Sequence, residues 1–226
     1  MRRTTLFLAA FALLCCGGAE AQTARQWRDS LAVLNRKIDA LPFSSDLHLK
    51  KAAVNIELGQ WDYAIDEYSL VLRNDPGNLA ALFYRAYAYA STRRYGEAKG
   101  DYGAFLASVP RSFEARLGLA HVCMKLGESQ EAANELDLLV EHFPDSAAAY
   151  AARADFERRQ CSYTTALYDW GKAVELAPGN ADYQISRVDL LLELGEKKAA
   201  AKALDEMVER GTPRGLLRQW YKKCGK

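Results

Sequence analysis

Histidine is scarce in this chain: His48, His121 and His142 are the only three in 226 residues, and no two stand at a metal-ligating spacing. Cysteine is thin as well. Of five, Cys15 and Cys16 fall in the first 21 residues, and Cys123, Cys161 and Cys224 form no Cys-x-x-Cys pair. Three leftover thiols at unrelated places argue against a disulfide framework and for free cysteines, buried or semi-buried. There is no nucleophile elbow and no phosphate-cradling glycine loop. These absences leave no constellation for catalysis, so the expectation is a non-enzyme with no cofactor and no metal. Charge of either sign is not in surplus. The 30 basic and 29 acidic side chains nearly cancel, and without Arg2, Arg3 and Glu20 they balance at 28 of each, which removes nucleic acid as a default partner. The apolar run from Leu6 to Cys16 has eleven residues, too few to span a bilayer as a helix.

What is present begins with that run. Arg2 and Arg3 precede it and Ala19-Glu20-Ala21 follows, with small residues at both sites a signal peptidase reads. Residues 1–21 are therefore expected to be a secretory signal, cleaved before Gln22. The competing expectation is lipidation at Cys16, although Cys15 is a poor substitute for the small residue that lipid-attachment motifs place there. Both routes make the mature protein exported. The first leaves it soluble in the periplasm and the second makes it an outer-membrane lipoprotein, so membrane contact belongs to the form lipidated at Cys16 alone.

From Ser45 onward the chain repeats every 34 residues. Ala64, Ala98, Ala132, Ala166 and Ala200 form one ladder; Pro76, Pro110, Pro144 and Pro178 form a second; Ala52, Ala86, Ala120 and Ala154, continued by Val188, form a third. A period of this length marks a stacked array of one supersecondary unit. Ser44, Asn78, Ser112, Ser146 and Asn180 stand just before the units, each able to cap a helix, and the prolines end the helix before. Small residues at the eighth and twentieth positions let two helices approach closely. Trp61, Tyr68, Tyr95, Tyr102, Tyr163 and Trp170 recur between them as core. Lys51, Arg85 and Arg153 share the seventh position and Glu67, Asp101 and Asp169 the twenty-third. Antiparallel helices bring those positions together, which predicts three exposed ion pairs of modest worth. Repeats three and five break the pattern, with Leu119 and Glu135 in one and Arg187 and Ala203 in the other.

The first unit, SDLHLKKAAVNIELGQWDYAIDEYSLVLRNDPGN, has Leu58-Gly59 at its turn, Trp61 and Tyr68 about Ala64, and Pro76 after its second helix. In these features it resembles the tetratricopeptide repeat. Departures are local: Arg93 and Cys161 replace the turn glycine, Ser129 and Lys197 replace the aromatic that follows, and the last proline slips to Pro213. The resemblance implies an all-α fold, a right-handed α-solenoid of antiparallel helix pairs. A half-repeat helix is expected over 22–44, with Trp27, Leu31, Leu34 and Ile38 on one face. Five full repeats follow at 45–78, 79–112, 113–146, 147–180 and 181–214, and a capping helix over 215–226 with Leu216, Leu217 and Trp220 on its inner side.

The same resemblance implies where a partner binds. In tetratricopeptide arrays the first helices line a concave face, and their second, fifth, ninth and twelfth positions meet a bound peptide or protein. Those expectations fall here on Phe83, Tyr87, Leu117, His121, Met124, Arg158, Ile185 and Asp189. Family members that clamp chaperone C-termini use lysine and asparagine where this chain has Leu49 and Ala53, which sets that specificity aside. The chain is thus expected to be an exported adaptor or scaffold holding a protein or extended peptide in its groove. The alternative is a lipid-anchored component of an outer-membrane assembly, pilus or secretion machine. The oligomeric state stays open.

Overall fold

The computed structural model describes residues 24–225, so the signal segment, its cleavage site and Cys16 lie outside the described residues. Among the described residues there are twelve α-helices, one 3-10 turn and no strand. They divide into two compact halves between Ala132 and Ala133. The N-terminal half holds α1 (Ala24–Ala40), α2 (Ser45–Glu57), α3 (Trp61–Asn74), α4 (Leu79–Ser91), α5 (Tyr95–Ser108) and α6 (Phe113–Leu126), and the division falls within α7 (Ser129–His142). The C-terminal half continues with α8 (Ala147–Arg159), α9 (Tyr163–Leu176), α10 (Ala181–Glu193) and α11 (Lys197–Glu209). It ends with the 3-10 turn Arg214–Leu217 and α12 (Arg218–Cys224). Helices α2 and α3, α4 and α5, α8 and α9, and α10 and α11 pack as antiparallel pairs.

First helices start where the cap residues predict. Asn78 accepts from the Ala81 amide at 3.0 Å, Ser112 from Ala115 and Ser146 from Ala149 at 3.3 Å, and Asn180 from both Asp182 and Tyr183. Each such cap satisfies a donor that the helix cannot, worth about 1 kcal/mol. Ser44 departs from the expectation: α2 starts after it, but its hydroxyl makes no capping bond. The turns inside the repeats share one backbone geometry. Gly59, Gly127 and Gly195 have φ of 69°, 79° and 77°, and Arg93 and Cys161 hold the same left-handed form at 64° and 62°. The replacement of glycine has therefore left the turn unchanged and put two side chains into a strained region.

Both alanine ladders are sealed. Ala52, Ala64, Ala86, Ala98, Ala120, Ala132, Ala154, Ala166 and Ala200, together with Val188, are 0% exposed. The larger side chains close around these contacts. Tyr68, Tyr102 and Trp170 are buried, whereas Trp61, Tyr95 and Tyr163 are half-buried. Burial pushes the Tyr68 and Tyr102 hydroxyls well above the ordinary phenol range. One further small residue carries a packing contact: a Cβ added to Gly118 on α6 would stand 2.6 Å from Cζ of the Tyr102 ring.

The ends of the array are less sealed. Trp27, Leu31, Leu34 and Ile38 of α1 are half-buried, and α1 contributes no fully buried residue. At the other end the expected apolar face is rotated by one residue. Leu217 and Tyr221 are the buried pair, and Leu216 is 69% exposed. The 3-10 turn after Pro213 brings Leu217 into the i, i+4 relation with Tyr221 that α12 needs to bury one stripe. Tyr221 donates to Asp205 at 2.6 Å, and the Arg214 guanidinium lies 4.2 Å over its ring.

Candidate functional site

Two sets of side chains deserve a chemical reading, the pairs inside the repeats and the inward positions of the first helices. The pairs form as expected, but they are not exposed. Arg85 donates from Nε and Nη2 to the two oxygens of Asp101 at 2.7 and 2.8 Å, and from Nη1 to Ser69 of the preceding repeat at 3.0 Å. Arg153 repeats the fork on Asp169 at 2.7 and 2.9 Å and reaches Asp137 of the preceding repeat at 2.9 Å. Asp101 and Asp169 are buried, the latter completely. The bidentate carboxylates hold both guanidinium groups above their usual range. Lys51 meets Glu67 at 2.7 Å, and there His48 joins them. Its Nδ1 faces Glu67 at 2.5 Å and its Nε2 the Pro42 carbonyl at 2.9 Å, so His48 is a hydrogen-bonding link as well as a packed side chain. The correction to the modest worth expected of exposed pairs has a physical origin. The close helix crossing at the alanines takes the carboxylates largely out of water and leaves Lys51, Arg85 and Arg153 only 24%, 20% and 18% exposed, so loss of one partner costs more than it would at the surface.

The fourth position carries a second recurring bond. Arg116 donates to the Pro110 carbonyl and Gln184 to the Pro178 carbonyl, each at 2.5 Å, just as His48 faces Pro42. Repeats one, three and five therefore each reach back six residues to a proline; repeats two and four have Leu82 and Tyr150 there. A polar residue six places after every other proline was the signal available in the sequence.

The inward positions behave differently in the two halves. In the N-terminal half, Phe83 and Tyr87 lie one turn apart on α4, and Leu117, His121 and Met124 follow the same helical spacing on α6. All five are half-buried, and α4 and α6 touch directly. Phe83 packs against Tyr102 and Phe105 at 5.9 and 5.4 Å between ring centroids, and Tyr87 meets Trp61 edge-on at 5.8 Å. These anchors are thus braced from behind by the second helices. In the C-terminal half, Arg158 pairs with Glu193 at 2.7 Å, Asp189 accepts from the Trp220 indole at 2.9 Å, and Ile185 packs on the cluster around Val188 and Leu204. The charged pair of expected contacts there is engaged within the chain, through Glu193 and Trp220, two residues that sequence reasoning had not assigned to this face.

Near α6, Cys123, Glu128 and Glu131 place three potential ligand atoms within 4.8 Å of one another. Lys99 already neutralises them, bonding Glu128 at 2.9 Å and Glu131 as well, and burial pushes the Cys123 thiol up to about 11. A protonated thiol with an ammonium beside it is a closed ion-pair cluster and a poor metal site. Among the described residues the three cysteines are free: Cys123 is buried and Cys224 half-buried as expected, but Cys161 is exposed because its turn projects it outward.

Comparison with known proteins agrees with this geometry. Profiles of the tetratricopeptide repeat match residues 57–98 and 89–156. Among curated proteins, a tetratricopeptide repeat and J domain-containing co-chaperone, DNJ1 of Fusarium oxysporum, is 28% identical over 168 residues, 71% of this chain and 32% of that protein. Sperm-associated antigen 1 of Rattus norvegicus is 28% identical over 115 residues, 51% of this chain and 13% of the antigen. The chain thus spans a third or less of the length of these relatives. Among solved structures, that of MamA superposes with a TM-score of 0.65 at 21% identity, covering 73% of this chain and 90% of MamA. YrrB, a repeat protein with an unusual peptide-binding site, superposes with a TM-score of 0.61 at 18% identity over 78% of this chain and 91% of its own. Residues 57–156 thus carry tetratricopeptide repeats, and the antiparallel helix pairs on either side have the same tetratricopeptide-like fold. Such repeats are protein–protein interaction scaffolds, typically non-catalytic, that bind protein or peptide partners.

Proposed function

We propose that the protein is an exported scaffold that holds a protein or extended peptide against the stripe Phe83, Tyr87, Leu117, His121 and Met124. The observation that carries this reading is the state of those five side chains: all half-buried on two touching first helices, with Phe83 braced by Tyr102 and Phe105 and Tyr87 by Trp61. Aromatic rings and methionine bury much area at low entropic cost, the usual profile of a binding hot spot. Arg158, Ile185 and Asp189 contribute less, because each is already engaged inside the C-terminal half. Export rests on the N-terminal pattern of Arg2, Arg3, the Leu6–Cys16 run and Ala19-Glu20-Ala21.

The test is a photo-crosslinking amino acid placed at Leu117 or at exposed Glu97 on α5, in cells that export the protein. A partner captured at Leu117, absent at Glu97 and lost from a Tyr87→Ala/Met124→Ala chain with unchanged circular dichroism is the expected result. Equal capture at both positions would move the interaction off this stripe. Mass spectrometry of the mature chain separates a start at Gln22 from a diacylglyceryl group on Cys16, the latter favouring the lipid-anchored assembly component.

A further inference from the structure

In repeats one, three and five a polar side chain at the fourth position bonds the carbonyl of the preceding proline. Repeat two has Leu82 instead, which is too short and has nothing to donate. An open cleft of about 670 Å³ lies between α3 and α4 at this place, within the size range of ligand sites. Its apolar wall comes from half-buried Leu70 and from the edges of the core residues Leu72 and Leu82. Pro76 also lines the cleft, and among the described residues none donates to its carbonyl. Arg85 also lines the cleft but is already bonded to Asp101 and Ser69, whereas Arg73 is exposed and bonds no described residue. Asp66 stands two turns before Arg73 on α3, about 10 Å along the axis, so the cleft is cationic at one end and anionic at the other.

We infer that this cleft is a second binding site, separate from the inward stripe, for the C-terminus of a peptide that ends in an apolar residue preceded by a basic one. The terminal carboxylate meets Arg73, the last amide N–H donates to the Pro76 carbonyl, the last side chain lies on Leu70, Leu72 and Leu82, and the basic side chain extends toward Asp66. The carboxylate, amide and basic contacts answer groups that no described residue partners, and the apolar contact falls on half-buried Leu70 and the outer edges of Leu72 and Leu82. The polarity of the two ends sets the direction in which the peptide lies.

The probe is acetyl-Lys-Leu with a free carboxylate, titrated into the isotope-labelled mature chain and followed by amide chemical shifts. Saturable shifts confined to residues 66–85 are expected, with a dissociation constant on the order of millimolar for so small a ligand. The same dipeptide with an amidated C-terminus should bind about fivefold more weakly, the loss expected for one exposed ion pair. Arg73→Gln should bring the acid down to the level of the amide and leave the amide unchanged. Leu82→Gln, which installs the side chain of repeat five, should abolish saturation; because Leu82 belongs to the core, its melting temperature should fall, and unchanged circular dichroism at the temperature of the titration shows that the chain is still folded. Scattered or non-saturating shifts, or acid and amide that bind alike, would overturn the inference. So would an Arg73→Gln chain that binds the acid as the native chain does.

Discussion

Repeats two and four differ from repeats one, three and five in three features at once. The even repeats carry the buried Arg–Asp forks, a non-glycine residue in the left-handed turn, and Leu82 or Tyr150 at the fourth position. The odd repeats keep Gly59, Gly127 and Gly195 in the turn and use His48, Arg116 or Gln184 to bond a proline carbonyl. Each kind is therefore tied to its predecessor by its own bond. An even repeat reaches back with the third arm of its arginine, to Ser69 or Asp137; an odd repeat reaches back with its fourth residue. The alanine crossings hold the helices in the same place in both. The polar groups left at the seam need only some partner, and two unrelated chemistries supply it.

The largest test of this contrast is Asp169→Ala, which removes the fully buried half of the fork and leaves the half-buried Arg153 guanidinium with the exposed Asp137 alone. A loss of ~3–5 kcal/mol is expected in urea unfolding, and replacing both residues by leucine should recover most of it. A loss under ~1 kcal/mol would show the fork to be no better than a surface pair. Gly118→Ala comes next, at the seam between repeats two and three. The new methyl meets the Tyr102 ring and should cost ~1–3 kcal/mol, with Tyr102→Leu relieving the clash in the double variant. If the melting temperature of Gly118→Ala matches that of the native chain, the ring is free to shift and the seam is looser than its burial implies.

The turns should respond in the opposite direction. Arg93→Gly or Cys161→Gly removes a left-handed side chain and should stabilise by ~1 kcal/mol, whereas Gly127→Ala should cost a similar amount. Equal effects of either sign in both kinds of repeat would erase this part of the contrast. The smallest change expected is Ala203→Asp. It supplies repeat five with the acid that repeats two and four place opposite their arginine, and pairing with Arg187 should add ~0.5 kcal/mol, visible as a small rise in melting temperature that Arg187→Leu cancels.

Most of the fold was legible before any coordinates. The ladders at Ala64 and Pro76 set the period, and the cap residues at Asn78, Ser112, Ser146 and Asn180 marked helix starts because their chemistry is local. The three ion pairs were also legible, since positions sixteen apart face each other in any antiparallel pair of this length. What escaped depended on depth or on neighbours beyond one repeat. Burial of Asp169 cannot be read from its spacing, and His48 looked like a packing residue until Pro42 and Glu67 stood on either side of it. Asp189 was assigned to a partner because Trp220 comes from the cap, where a 3-10 turn shifts the register by one residue. On the candidate site, the stripe on α4 and α6 follows from helical spacing alone. The engagement of Arg158 by Glu193 does not.

The two alternating seams set a rule for how such a chain can change length. Excising repeat three alone would place Arg153 after repeat two, where Gly103 stands at the position of Ser69 and Asp137 and offers the third arm of the arginine no side-chain acceptor. Excising 68 residues, one repeat of each kind, brings every donor back to an acceptor of the type it already uses. Duplication, deletion or grafting in this array is therefore compatible with its hydrogen bonding in steps of two repeats, and a library of length variants should show an even–odd alternation in folding yield.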